Sequence, residues 1–245
     1  MQTRYLGDTH DCIKYALLRH LVRETGLSLG VNWYLTDPAE VDAAGNNHGE
    51  KRHHLNGTRW KTLDAEVLTH LDRFSEPAER TLENIQTAGV LPENSQFYGN
   101  VLGKEDREAW HLKACQAMRS SELVFLDPDN GFQVPSMSRS KAPKYALYEE
   151  FQDYINAGKT VVSIQFARQC DPIKRATMIS QTLSIMMSDA DIFPVVRGRV
   201  APNILFFTAS LKGQGEETKQ ALHSFVRQHR EKVTNGTPLV ELVTG

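Results

Sequence analysis

Cysteine is scarce in this chain: Cys12, Cys115 and Cys170 are scattered and odd in number. That distribution excludes a disulfide framework and the paired spacing of a zinc site, and it predicts reduced thiols in a cytoplasmic setting. Long apolar runs are also missing. None reaches the roughly 18 residues that cross a bilayer, and the opening MQTRYLGDTHDCIKYALL is too polar for a secretory signal. Charge of one sign is absent too, because 28 Lys+Arg against 30 Asp+Glu leave −2. Nucleic acid meets no bulk attraction here, so any contact with it needs a local basic patch. No repeat, low-complexity tract or long linker divides the chain.

What is present is a steady alternation of apolar patterns. The 245 residues, 40% of them hydrophobic, suffice for one well-cored domain over 1–245. Helical spacing is predicted over 13–23, with Gly26 as a stop, and again over 63–74, 78–87, 104–119, 145–156, 173–188 and 216–232. Strands are predicted at 30–36 (GVNWYLT), 96–100, 123–126 (LVFL) and 160–167 (TVVSIQFA). Two further runs, 192–196 and 203–209, flank RGRVAP and suit an antiparallel hairpin. Between them, 37–58 is a long irregular insertion rich in Gly, Asn, Asp and His, and loops of that length are often functional. Strands alternating with helices imply an α/β fold, a mostly parallel sheet covered on both faces and ending in an antiparallel pair. Ligands of such sheets bind at the carboxyl ends of the strands, which directs attention to the loops after Thr36, Asn100, Leu126 and Ala167.

Asp127-Pro128-Asp129-Asn130-Gly131 follows the most apolar strand directly. A carboxylate there can face the crevice while its strand stays buried, and Asn130 adds an amide that donates and accepts. A plain turn also accounts for these five residues, since all are turn formers.

The strand end resembles motif IV of amino-methylating S-adenosylmethionine-dependent methyltransferases, an Asp/Asn-Pro-Pro-aromatic turn that holds the target amine. Here Asp129 stands for the second proline and Asn130 for the aromatic, with Phe132 the nearest ring able to stack on a base. The segment Gly7-Asp8-Thr9-His10-Asp11-Cys12-Ile13-Lys14-Tyr15 is similar to the opening of the large-subunit ribosomal RNA adenine-N6 methyltransferases, Gly-Asn-x-x-Asp-apolar-apolar-Lys-His, at Gly7, Asp11, Ile13 and Lys14. The resemblance implies a Rossmann-like class I methyltransferase fold, S-adenosyl-L-methionine as cofactor, and N-methylation of an amine such as an exocyclic base nitrogen of RNA or DNA. It implies a catalytic set of Asp127, Pro128, Asn130 and Phe132. Cofactor contacts fall to Asp8, Asp11, Lys14 and Thr36, with Gly45 and Gly49 replacing the glycine loop that Tyr34-Leu35-Thr36-Asp37-Pro38 lacks.

Two other readings use the same residues. Asp8, His10 and Asp11 with Asp127 and Asp129 offer oxygen-rich ligands for Mg²⁺ or Mn²⁺, as in a nuclease or phosphodiesterase. A methyltransferase-like scaffold without catalysis would explain the missing glycine loop and altered turn. For nucleic acid, the candidate contacts are Lys51 and Arg52 beside His48, His53 and His54, then Arg59-Trp60-Lys61 for stacking and charge, Arg168 after the fifth strand, and Arg197 and Arg199 in the hairpin.

Overall fold

Side chains alternate across the strands so strictly that two cores result. Leu123 and Phe125 join one apolar cluster and Val124 and Leu126 the other; Ile204 and Phe206 go with the first pair, Leu205 and Phe207 with the second. That period of two is what a sheet buried on both faces requires. The structure, a computed structural model, describes residues 1–42, 51–56, 58–103, 106–233 and 236–243.

The elements run α1 (Thr9–Thr25), β1 (Leu29–Asn32), α2 (Pro38–Val41), α3 (Ala65–Asp72), α4 (Leu82–Thr87), β2 (Gln96–Tyr98), α5 (Arg107–Ala117) and β3 (Leu123–Leu126). They continue as β4 (Gly131–Phe132), β5 (Tyr145–Ala146), α6 (Tyr148–Asn156), β6 (Thr160–Ala167), α7 (Pro172–Met186), β7 (Ala190–Ile192), β8 (Val195–Gly198), β9 (Asn203–Leu211), α8 (Glu216–Lys232) and β10 (Val240–Val243). The main sheet has the order β2-β1-β3-β6-β9-β8-β10, with β7 also on β9. The strands β2, β1, β3 and β6 are mutually parallel, and β9, β8 and β10 pair antiparallel. Thus the three apolar runs at 30–36, 123–126 and 160–167 are neighbours in one sheet. One face carries α1, α3 and α8, the other α5, α6 and α7.

The chain leaves β1 for β2 on one side and then returns to β3 on the other. The order therefore reverses between β1 and β3, and a crevice opens beyond their carboxyl ends. Among the described residues no helix is long and apolar enough to cross a membrane.

Several boundaries differ from the sequence pattern, each for a local reason. The first strand stops at Asn32 rather than Thr36, because Tyr34 takes φ 45 and breaks the ladder. The first helix begins at Thr9, four residues before its apolar spacing does, because Asp8 caps it: its side chain accepts from His10 N and Asp11 N. Tyr145–Ala146 forms β5 against β4 instead of starting the following helix. The insertion holds the short α2, capped by Asp37, and 3-10 helices at His53–Asn56 and Thr58–Thr62. β10 was not predicted; it adds to the edge of β8, with Val240 opposite Gly198.

Candidate active site

Beyond β1, β3 and β6 lies a cavity of about 440 Å³. Asp127 stands at its base, one residue past β3, where its N–H still bonds Asn32 O at 3.0 Å. The carboxylate is 1% exposed, and its Oδ2 accepts no hydrogen bond from a described residue. Lys14 Nζ lies 2.8 Å from Asp127 Oδ1, a charge-assisted contact that occupies that oxygen. Charge is balanced there while Oδ2 has no donor, an arrangement that is costly to bury.

The ammonium reaches this place from the first turns of α1, where it also bonds Asp11 Oδ1 at 3.0 Å. Burial works against its charge, but Asp11, Asp127 and Asp8 together outweigh it and raise its pKa. Asp11 is also raised, here against its charged form: burial first, with Asp8 and Asp127 adding, lifts its carboxyl to about 6 against the pull of Lys14. Its second oxygen accepts from Gly7 N at 2.8 Å. Asp11 is therefore a bracket behind Lys14 with both oxygens occupied. Asp8 is similarly engaged, by the helix N–H groups and by His10 Nδ1 at 3.3 Å.

The turn after β3 is clamped by one residue that the sequence pattern did not single out. Gln165, from β6, donates through Nε2 to Asn130 O at 2.9 Å and accepts through Oε1 from Phe132 N at 3.0 Å. The signal was a polar residue, 4% exposed, inside the apolar run TVVSIQFA. Gly131 at φ 105 lets the chain turn there, since a Cβ would lie 2.5 Å from Gln165 Oε1. The turn carries Phe132 away from the cavity and into the core, stacked on Tyr148 at 4.9 Å and edge-on to Phe151 and Phe207. The expectation that Phe132 stacks on a base is therefore corrected: its ring is fully buried. Aromatic rings at the cavity are Tyr5 and Phe166, the latter with the guanidinium of Arg168 over its face at 5.3 Å and His10 edge-to-face with it at 5.0 Å. Arg168 Nη1 also donates to Asn130 Oδ1 at 3.3 Å.

Of the residues proposed from sequence, the structure brings Asp8, Lys14, Asp127, Pro128 and Asn130 to one cavity, together with Arg168. Thr36 lies behind it, buried, its N–H donating to Met1 O at 2.9 Å and its hydroxyl to Asp129 Oδ2 at 3.1 Å. Gly45, Gly49 and His48 lie outside the described residues. Lys144 links the rim, 2.6 Å from Asp42 and 3.8 Å from Asp129. The metal cluster considered from sequence does not assemble: among the described residues no three of His, Cys, Asp and Glu group to hold an ion. The cause is Lys14, whose ammonium takes the space between Asp11 and Asp127.

The basic segment is built inward more than outward. Arg52 donates to Gly7 O at 2.8 Å and Leu6 O at 3.2 Å, and Lys51 O accepts from Thr9 N at 2.7 Å. Trp60 is 1% exposed beneath Arg59, which corrects its reading as a stacking surface. Arg197 and Arg199 pair with Glu241 at 2.7 Å each. The contacts of Arg52 and Lys51 hold the Gly7-Asp8 corner, where Gly7 has φ +73 and a Cβ would sit 2.3 Å from Phe74 Cβ. Gly7→Ala should destabilise by more than the ~1–3 kcal/mol of a strained left-handed residue, because Phe74 meets the new methyl at its own root. An unchanged melting temperature would show that this corner relaxes freely.

His54 supports the same corner, its Nδ1 3.2 Å from Thr9 Oγ1. Burial pushes its imidazole from 6.5 down to about 4, with Arg52 assisting and Asp8 opposing. The unfolded chain takes a proton below about 6.5 that the folded chain accepts only near 4, so stability should rise with pH across that window. Urea unfolding between pH 4 and 7 should show a shallower rise in His54→Gln than in the parent. Equal slopes would mean that the ring titrates as if in water.

A scan against protein-family models and a search of curated proteins each match nothing to this chain.

Proposed function

We propose that this cavity transfers a methyl group from S-adenosyl-L-methionine to an amine, of which an exocyclic base nitrogen of RNA or DNA is the leading candidate, in a chain of the class I methyltransferase type. The observation that carries the reading is Asp127: a buried carboxylate at the topological switch point, lining a cavity, with Oδ1 held by Lys14 and Oδ2 unfilled by any hydrogen-bond donor among the described residues. An amine brings the N–H donor that Oδ2 lacks.

The cofactor supplies a methyl group on a positively charged sulfur. The cavity suits a molecule carrying both signs of charge and an aromatic part: its lining combines Asp127, Asp8 and Asp129 with Lys14, Lys144 and Arg168, and with the rings of Tyr5 and Phe166. Lys14 and Asn130 are the residues placed to hold its polar ends. Asp127 accepts an N–H of the amine and thereby turns the nitrogen lone pair toward the cavity, while Pro128 stiffens the turn. Methylation would release one N–H proton from nitrogen, and Asp127 is the nearest buried acceptor for it. A paired base would first have to leave its stack to enter.

A second reading, a scaffold of this type without catalysis, is favoured by two observations. Met1 and Thr36 pack over the carboxyl end of β1, and Lys14 is already matched by two carboxylates. Calorimetric titration with S-adenosylmethionine, S-adenosylhomocysteine and Mg²⁺ or Mn²⁺, with labelled methyl transfer to total RNA and DNA, decides. Binding with transfer supports the proposal; binding without transfer supports the scaffold; metal binding alone returns the nuclease.

A further inference from the structure

A second cavity, about 300 Å³, opens between α1, α8 and the turn Thr58–Thr62, on the face of the sheet that α1 covers. Its walls carry Arg19, Arg23, Lys61 and Lys232 against Asp64 and Glu66. Both acids are consumed by one cation: Arg19 Nε lies 3.2 Å from Asp64 Oδ2, and its Nη2 bonds Glu66. Arg23 turns Nη2 onto His20 Nδ1 at 2.7 Å and meets only the exposed Glu24 outside the cavity. Lys61 and Lys232 are exposed and make no ion pair among the described residues. The concave surface therefore holds positive charge that the protein does not neutralise, although the whole chain is at −2.

The buried histidines around it respond to that charge. His20 is lowered by burial and then by Arg23, with Lys232 adding; His229 is lowered by burial, with Lys232 adding. Their rings are committed to internal bonds, His20 Nε2 to Ser224 Oγ at 2.8 Å and His229 Nε2 accepting from Leu239 N at 2.9 Å. They fix the cavity walls, and the lysines remain for a ligand.

We propose that this cavity binds a phosphate group, carried either by a small phosphorylated molecule or by the backbone of a single-stranded nucleic acid. Two lysines lining one pocket at the small end of the ligand-binding range, about 300–1,000 Å³, suit a compact dianion held as a point charge. The site is distinct from the cavity at Asp127, whose lining it does not share. It also gives Lys61 a role that the stacking reading of Arg59-Trp60-Lys61 did not supply.

The test is calorimetric titration of the full chain with pyrophosphate at low salt, in the parent, in the double variant Lys61→Gln/Lys232→Gln, and in Lys219→Gln as a control cation paired with Glu216. Saturable binding in the parent and control, weakened about tenfold or more in the double variant, is expected. Both lysines are exposed, so the double variant should melt with the parent, and a melt verifies it. A short single-stranded oligonucleotide then identifies the source. If it displaces pyrophosphate, with a salt slope that falls by about 1.4 in the double variant, the phosphate is a nucleic-acid backbone; if pyrophosphate alone binds, the phosphate belongs to a small molecule. No saturable pyrophosphate binding in the parent, or equal binding in the double variant, overturns the proposal.

Discussion

Asp127→Ala should lose methyl transfer by about a hundredfold to a thousandfold while cofactor binding persists. A carboxylate that orients an amine contributes most as the nitrogen lone pair is released toward the methyl group, so its removal affects the transfer step more than capture of the cofactor. Folding should survive, because Lys14 keeps Asp11 at 3.0 Å as a counter-charge. Asp127→Asn is the matched control: a carboxamide oxygen still accepts one N–H, so this variant should retain much more transfer than the alanine. The measurement is labelled methyl transfer to RNA and DNA below the melting temperature, beside a cofactor titration. Undiminished transfer in Asp127→Ala would remove Asp127 from the mechanism. A parent without transfer would favour the scaffold.

Lys14→Met should be among the most damaging single changes for stability. It leaves Asp8, Asp11 and Asp127 buried at 5%, 3% and 1% exposure with the ammonium between them gone. Breaking a buried pair by removing one partner commonly costs about 3–5 kcal/mol, which for a domain of this size lowers the melting temperature by roughly 6–20 °C. Acid should relieve part of the loss. Asp11 already titrates near 6 in the parent, above its ordinary 3.8, and without Lys14 it will rise further. Because the variant's folded state binds that proton at higher pH than the parent's, stability of the variant relative to the parent should improve as pH falls toward about 6 and level off below it, where both folded states carry the proton. Lys14→Met/Asp11→Asn should recover part of the loss at neutral pH. A parent-like melting curve for Lys14→Met would show that water reaches these carboxylates, and with it the premise of a dry acceptor at Asp127 would fail.

How much of the site was legible differs residue by residue. The placement of Asp127 followed from chemistry along the chain: four apolar residues set the strand, and the first polar residue after them has to emerge at its carboxyl end. Lys14 met it there because α1 begins at that same edge, and the spacing from Asp11 puts both side chains on one face of the helix. Phe132 misled, because two residues of sequence separation looked like proximity. Gly131 at φ 105 and the clamp from Gln165 turn its ring into the core instead. Trp60 misled in the same way: an aromatic between two basic residues reads as a binding surface, but the ring lies under Arg59 and packs with the core of the α1 face.

The sequence by itself determined the class of architecture and the edge of the sheet at which polar groups gather, because alternation, helical spacing and turn chemistry act over a few residues. Strand order, the reversal between β1 and β3, and the pairing of Lys14 with Asp127 across 113 positions of chain were decided only by the tertiary structure. The same holds for the phosphate cavity, whose lysines come from a turn near residue 60 and the end of α8. These are choices among long-range contacts whose worth depends on which charges share a buried volume. No local pattern encodes that, and only the closed fold brings the charges together.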